Sequence, residues 1–135
     1  MNLPPKLKLN DEVILIAPAR KVELESLIMA ENLLLKWGLK PLRSKNILAK
    51  TGIFAGDKEE RVLDLQWAIN HPTAKAIWCF RGGYGSIQLL EGLNPAPFLH
   101  NPKWIIGFSD ITNIHCFSNI ILNTASIHAL SLIHI

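Results

Sequence analysis

Ala76-Ile77-Trp78-Cys79-Phe80-Arg81-Gly82-Gly83-Tyr84-Gly85-Ser86 decides the fold. Its first five residues are an unbroken apolar run, as expected of a short strand buried on both faces of a sheet. The three glycines that follow punctuate it, and Ile87 to Leu90 open a helix. The same grammar recurs on either side. Upstream, Val13-Ile14-Leu15-Ile16-Ala17 is a second buried run closed by Pro18. Between about Val22 and Trp37, Leu24, Leu27, Ile28, Leu34 and Trp37 recur at helical steps among charged residues, and Gly38 stops the helix. Leu39 to Leu42 returns as a strand, and Ser44 to Gly56 reads as a loop. Asp57 and Glu60 stand at capping-box spacing, so a helix runs from there to about Asn70, with Val62, Leu65 and Ile69, flanked by Leu63 and Trp67, on its apolar face. Downstream of Pro95, Pro97 and Pro102, Trp104-Ile105-Ile106-Gly107-Phe108 is another strand, followed by Ser109-Asp110-Ile111-Thr112 at the mouth of a helix. Strands alternating with helices predict an open, mainly parallel α/β sheet with flanking helices.

The composition agrees with one packed domain. Of 135 residues, 49% are hydrophobic and 19% charged, and 14 Lys and Arg against 11 Asp and Glu leave a net charge of +3, too small and dispersed for a nucleic-acid partner. Every Lys, Arg, Asp and Glu lies at or before Asp110, leaving the last 25 residues uncharged. That stretch is interrupted by Asn113, His115, Ser118, Asn119, Asn123, Thr124, Ser126 and His128, which argues against a membrane span. The N-terminal stretch lacks the apolar run of a secretory signal, and Pro4-Pro5 would break a helix there, so a cytosolic protein is expected. Cys79 and Cys116 lack metal-like or redox spacing and are expected to be reduced core residues.

Two segments can carry chemistry, since reacting groups in such a sheet collect beyond the carboxyl ends of the strands. In Arg81-Gly82-Gly83-Tyr84-Gly85-Ser86 the glycines permit close backbone approach and leave Ser86 at a helix start, where it reads either as a nucleophile or as the N-cap. The strict G-x-S-x-G elbow, G-x-G-x-x-G and the phosphate-loop pattern are all absent. In Gly107-Phe108-Ser109-Asp110-Ile111-Thr112, Ser109 or Asp110 reads first as a helix cap. Arg81 can bind a carboxylate bidentately or pair with a neighbouring acid. None of the five histidines stands at a suggestive distance from a carboxylate, and no metal or cofactor is called for.

Taken together, Phe54-Ala55-Gly56-Asp57, the Glu59-Glu60-Arg61 to Asp64-Leu65-Gln66 helix, the Ala76 to Ser86 segment and Ile106-Gly107-Phe108-Ser109-Asp110-Ile111-Thr112, with Ala17-Pro18 after the first strand, resemble the N-terminal half of the L,D-carboxypeptidases. These are the murein tetrapeptide carboxypeptidases and microcin-immunity serine peptidases. The resemblance runs to about His128 and implies a flavodoxin-like or glutamine-amidotransferase-like α/β domain over 1–128, with 129–135 an atypical or truncated end. It implies cytosolic hydrolysis of the L,D-peptide bond that releases terminal D-alanine from murein tetrapeptides, and a dimeric family habit. On this resemblance Ser86 takes the nucleophile's place, Ile87 with Gly82 or Gly83 supplies the oxyanion hole, and Arg81, Ser109 and Asp110 wall the substrate pocket. The resemblance places a Glu and a His that complete the triad in a β-rich C-terminal domain outside this sequence, so the chain alone is expected to be nearly inactive. The alternative is a non-catalytic α/β module that holds a small anion or peptide carboxylate at the glycine-rich turn. A third reading is an inert, partly folded fragment with exposed apolar surface in its tail.

Overall fold

A computed structural model describes residues 1–130. Five strands form one sheet: β1 (Glu12–Ile16), β2 (Lys40–Arg43), β3 (Ala76–Cys79), β4 (Trp104–Gly107) and β5 (Ile127–His128). They lie in the order β2-β1-β3-β4-β5 and every pairing is parallel. The expected open parallel sheet is therefore present, with the strand order of flavodoxin-like folds and a topological switch between β1 and β3.

Strand alternation builds two cores. On β1, Val13 and Leu15 face α1 (Leu24–Lys36), whose Leu27, Ala30 and Leu34 are fully buried, while Ile14 and Ile16 face α2 (Lys58–Asn70) through Leu65, Ala68 and Ile69. Each fully buried Leu or Ile contributes about 1.5–3 kcal/mol relative to exposure. The capping box forms as read: Asp57 accepts the Glu60 N–H at 2.8 Å and Glu60 accepts the Asp57 N–H at 3.3 Å. It holds the start of α2, the helix that carries Arg61 toward the strand ends.

The helix faces differ from the periodic reading. Leu24, Ile28 and Trp37 of the first helix segment remain 42–49% exposed because the i, i+3, i+7 stripe of Leu27, Ala30 and Leu34 takes the sheet. On α2, Leu63 and Trp67 are exposed and Arg61 and Asp64 are buried in their stead. Asp64 is accommodated because Asn46 donates to it through both its backbone N–H and its side-chain amide. Cys79 is buried, and burial pushes its thiol up to about 12, whereas Cys116 is exposed, contrary to the core reading.

From Ser109 onward the chain packs as a 3₁₀ turn (Ser109–Ile111), a short α-helix (Thr112–Cys116) and a π-type turn (Phe117–Ile121) before β5. Ile111, Ile114 and Leu122 enter the core, while Ile120 and Ile121 remain 75% and 62% exposed. No helix among the described residues is long and apolar enough to cross a membrane. The end Ser131 to Ile135, expected to be atypical, lies outside the described residues.

Candidate active site

Three strand ends converge beside the switch between β1 and β3. The segment after β1 contributes Arg20, the segment after β3 contributes Arg81, Gly82 and Gly83, and the end of β4 contributes Phe108 and Ser109; together they line an open cavity of about 280 Å³. Ser109 is solvent-exposed and has φ 58°, a left-handed conformation that costs an L-residue roughly 1–2 kcal/mol. Such strain persists only where the surroundings impose it. Here Gly107 admits the tight turn, since a Cβ at that position would lie 2.6 Å from the Ile111 side chain. The result is a strand-to-helix elbow in which the second glycine of G-x-S-x-G is replaced by Ile111.

Gly82 packs directly on this elbow. A Cβ there would lie 2.9 Å from Ser109 Cβ, 3.0 Å from the Asp110 nitrogen and 3.2 Å from Ser109 Oγ. The close approach brings the glycine backbone and the Asp110 amide together around the Ser109 hydroxyl. Asp110 lies in the first turn of a helix, where amides have no intrahelical acceptor.

Ser86, the expected nucleophile, lies inside the protein rather than on the cavity lining. It begins a 3₁₀ helix (Ser86–Gly92) and is fully buried. Its Oγ donates to the Asp110 carbonyl at 2.6 Å and accepts from Asn113 Nδ2 at 3.1 Å, and its N–H donates to Asp110 Oδ2 at 2.9 Å. Both lone-pair and proton capacity of the hydroxyl are engaged inside the protein. The cap reading of Ser86 fails: the N-cap is Gly85, at φ 125°, and no side chain caps this helix. Likewise neither Ser109 nor Asp110 caps its own helix; Asp110 instead satisfies the first amide of the helix opposite. Ile87 is exposed on the 3₁₀ helix, and Arg81 is exposed with one long contact, Nη1 to the Lys21 carbonyl at 3.4 Å.

Arg61 holds the glycine turn from below. Its Nη1 donates to the Pro18 and Gly85 carbonyls at 3.1 and 3.0 Å, its Nη2 donates to Gln88 Oε1 at 2.9 Å, and its guanidinium lies 4.7 Å from the Phe54 ring centroid. Burial lowers its pKa, against the pull of Asp57 and Asp110. Gly85 is required where it stands, because a Cβ would meet Arg61 Nη1 at 2.8 Å. The family model for the LD-carboxypeptidase N-terminal domain matches residues 13–129, a span that contains the elbow, the glycine turn and Arg61.

The chain belongs to the LD-carboxypeptidase family. A murein tetrapeptide carboxypeptidase of Pseudomonas aeruginosa is 34% identical over 127 residues, covering 93% of this chain and 39% of that protein. An MccF-like protein from Bacillus anthracis superposes with a TM-score of 0.87 at 30% identity, over 99% of this chain and 42% of the other. A muramoyltetrapeptide carboxypeptidase from Oxalobacter formigenes gives 0.68 at 28% identity, over 77% and 35%. The chain thus spans under two fifths of the length of the curated relatives it matches.

Within this LD-carboxypeptidase domain, sequence reading missed Arg20, Arg61 and Asn113. Arg20 is the first cation beyond a buried strand, and Arg61 shares a helical stripe with Leu65 and Ala68, signals that were present in the residue order. Asn113 carried none. No group of three or more His, Cys, Asp or Glu placed to hold a metal occurs among the described residues.

Proposed function

We propose that this chain is the nucleophile-bearing domain of a serine carboxypeptidase that hydrolyses the L,D-peptide bond releasing terminal D-alanine from murein tetrapeptides, and that Ser109 is its nucleophile. The observation that carries the assignment is the exposed, left-handed Ser109 at the end of β4, facing the same cavity as Gly82, Gly83 and two arginines. Ser109 Oγ would attack the scissile carbonyl carbon; the Asp110 N–H and a glycine N–H from Gly82 or Gly83 would stabilise the tetrahedral oxyanion. Ser86, first expected in this role, becomes a positioning residue whose buried hydroxyl fixes the Asp110 carbonyl and so the backbone that follows Ser109. The similarity to the murein tetrapeptide carboxypeptidase of Pseudomonas aeruginosa supports the substrate class. A serine needs a base at neutral pH, and the cavity lining holds neither His nor acid, so the Glu and His come from the part of the relatives that this chain does not span.

The same lining favours one competing reading, a module that binds a peptide carboxylate without turning it over. The two separate in a chain completed with the C-terminal part of the Pseudomonas aeruginosa relative, assayed by fluorophosphonate labelling and D-alanine release. Loss of both in Ser109→Ala with retention in Ser86→Ala is the expected result. Equal labelling of wild type and Ser109→Ala removes Ser109 from the mechanism, and absence of turnover in every version leaves the binding module.

A further inference from the structure

We infer that Arg20 and Arg81 together read the free terminal carboxylate of the bound peptide, so that the domain selects chains ending in an acid over chains ending in an amide. The inference rests on Ser109 as the reacting residue.

Arg20 is held in place at the backbone and lines the cavity. It bridges Phe54, and the residues on either side are pinned: Lys21 N–H to the Ile53 carbonyl at 3.1 Å, and Ala55 N–H to the Ala19 carbonyl at 3.0 Å. Its side chain lies across Gly83. A Cβ on Gly83 would come within 2.3 Å of Arg20 Nε and 2.6 Å of Cδ, so glycine is what leaves the guanidinium its position. Arg20 Nε is buried with no hydrogen-bond partner, and neither ion pair found among the described residues involves Arg20 or Arg81. A buried guanidinium donor without an acceptor is costly, and its five N–H groups in a planar fork match a carboxylate. Asp110, the nearest acid in the elbow, is already committed: Oδ2 to the Ser86 N–H and Oδ1 to Asn113 Nδ2.

The spacing fits an exopeptidase. The carboxylate of a terminal residue lies one residue beyond the scissile carbonyl, a step of about 3.8 Å between Cα atoms. In the protein, Gly82 touches Ser109 and the next residue, Gly83, carries Arg20, so cation and nucleophile are one glycine apart. Arg81, exposed on the same lining, adds a second cation. Two like charges on one small cavity repel until an anion lies between them.

The test is calorimetric binding of N-acetyl-L-lysyl-D-alanine and its C-terminal amide to the 135-residue chain. Loss of a charge-assisted pair predicts that the acid binds about tenfold tighter than the amide or more. Arg20→Gln should bring that ratio close to one without weakening the amide, Arg81→Gln should reduce it in part, and Arg43→Gln, outside the cavity, should leave it intact. Should Arg20→Gln unfold, Arg20→Lys serves: it retains charge but not the fork, and should give an intermediate ratio. Equal binding of acid and amide by the wild type, binding of neither, or a ratio that survives both cavity variants overturns the inference. Fluorophosphonate labelling, carried out on the chain completed with the C-terminal part of the Pseudomonas aeruginosa relative, needs no carboxylate and separates the two assignments. Labelling at Ser109 with equal acid and amide binding overturns this inference alone. An acid preference without labelling overturns the peptidase reading and leaves the arginine pair as a carboxylate site.

Discussion

Asp110 and Ser86 are tied twice across the site: the Ser86 N–H donates to Asp110 Oδ2 at 2.9 Å and the Ser86 hydroxyl donates to the Asp110 carbonyl at 2.6 Å. One residue after β4 and one residue after the glycine turn are thereby locked into a single unit, with Ser109 on its exposed edge. This makes the two serines opposite in kind. One contributes stability, and the other carries strain at the cavity.

That contrast is measurable by thermal unfolding. Ser86→Ala removes the hydroxyl's bonds to the Asp110 carbonyl and Asn113, which keep each other as partners at 3.0 Å, and should destabilise by about 1 kcal/mol. For a domain of this size each kcal/mol corresponds to roughly 3–4 °C in Tm. Ser109→Gly relieves an unfavourable left-handed φ, although glycine raises the entropy of the unfolded chain, so its Tm should stay level or rise slightly. A Ser109→Gly protein that melts well below wild type would mean that the Ser109 side chain supports the fold.

Arg61 is the next point of attack, because it satisfies three acceptors from two separate segments. Lysine cannot reproduce a planar fork, and Arg61→Lys strands at least one buried carbonyl. The expected loss is about 2 kcal/mol, or roughly 6–8 °C, with the glycine turn the first backbone to lose hydrogen-exchange protection. Unchanged protection at Gly82 to Ser86 would show that the turn holds without its clamp.

Most of the sheet was legible because buried parallel strands are written as continuous apolar runs, and Val13 to Ile16 and Ala76 to Cys79 admit no other economical reading. The elbow was not, for a reason visible at Ser109. A serine after a strand has the composition of a cap, and only its φ of 58° and the 2.9 Å approach of Gly82 distinguish it from one. The burial of Ser86 was illegible for the converse reason: glycines before a serine suggest exposure, whereas Asp110 and Asn113 close over it from residues 24 and 27 positions away. Leu63 and Trp67 were misplaced because burial on α2 follows Arg61 and Asp64, polar groups whose partners lie in distant loops.

Lys103 offers a titration whose direction its burial sets. It is fully buried, its Nζ donates to the carbonyls of Ile69, in the last turn of α2, and Asn101, and burial, with Lys75 nearby, lowers its pKa from 10.5 to about 8. The folded state therefore holds the proton less tightly than the unfolded chain. Stability contributed by this group should rise as pH increases from about 8 toward 10.5, because over that interval the unfolded state binds more protons. In a ¹³C-methylated protein Lys103 should titrate near 8; a midpoint at the ordinary value of 10.5 would refute the shift.

The last prediction concerns acid, and it follows from His115. Its Nε2 lies 2.9 Å from the Gly107 carbonyl, so Nε2 carries the proton in the neutral ring and Nδ1, 2.8 Å from Ser126 Oγ, accepts. Gly107 is two residues before Ser109, so this ring props the strand end that forms the elbow. Burial lowers the His115 pKa below 6.5, the Gly107 bond opposes that shift, and His128, with its ring centroid 5.7 Å away, adds to it. The folded pKa is depressed, so on acidification the unfolded chain takes up the proton first. The stability that neutral His115 contributes is thus complete above about pH 7 and declines as pH falls through 6.5 toward the folded value. Denaturant unfolding between pH 8 and 5 should show this decline in wild type and a flatter profile in His115→Gln. If His115→Gln loses stability with acid as steeply as the wild type, other groups carry the acid response and the ring is not its source.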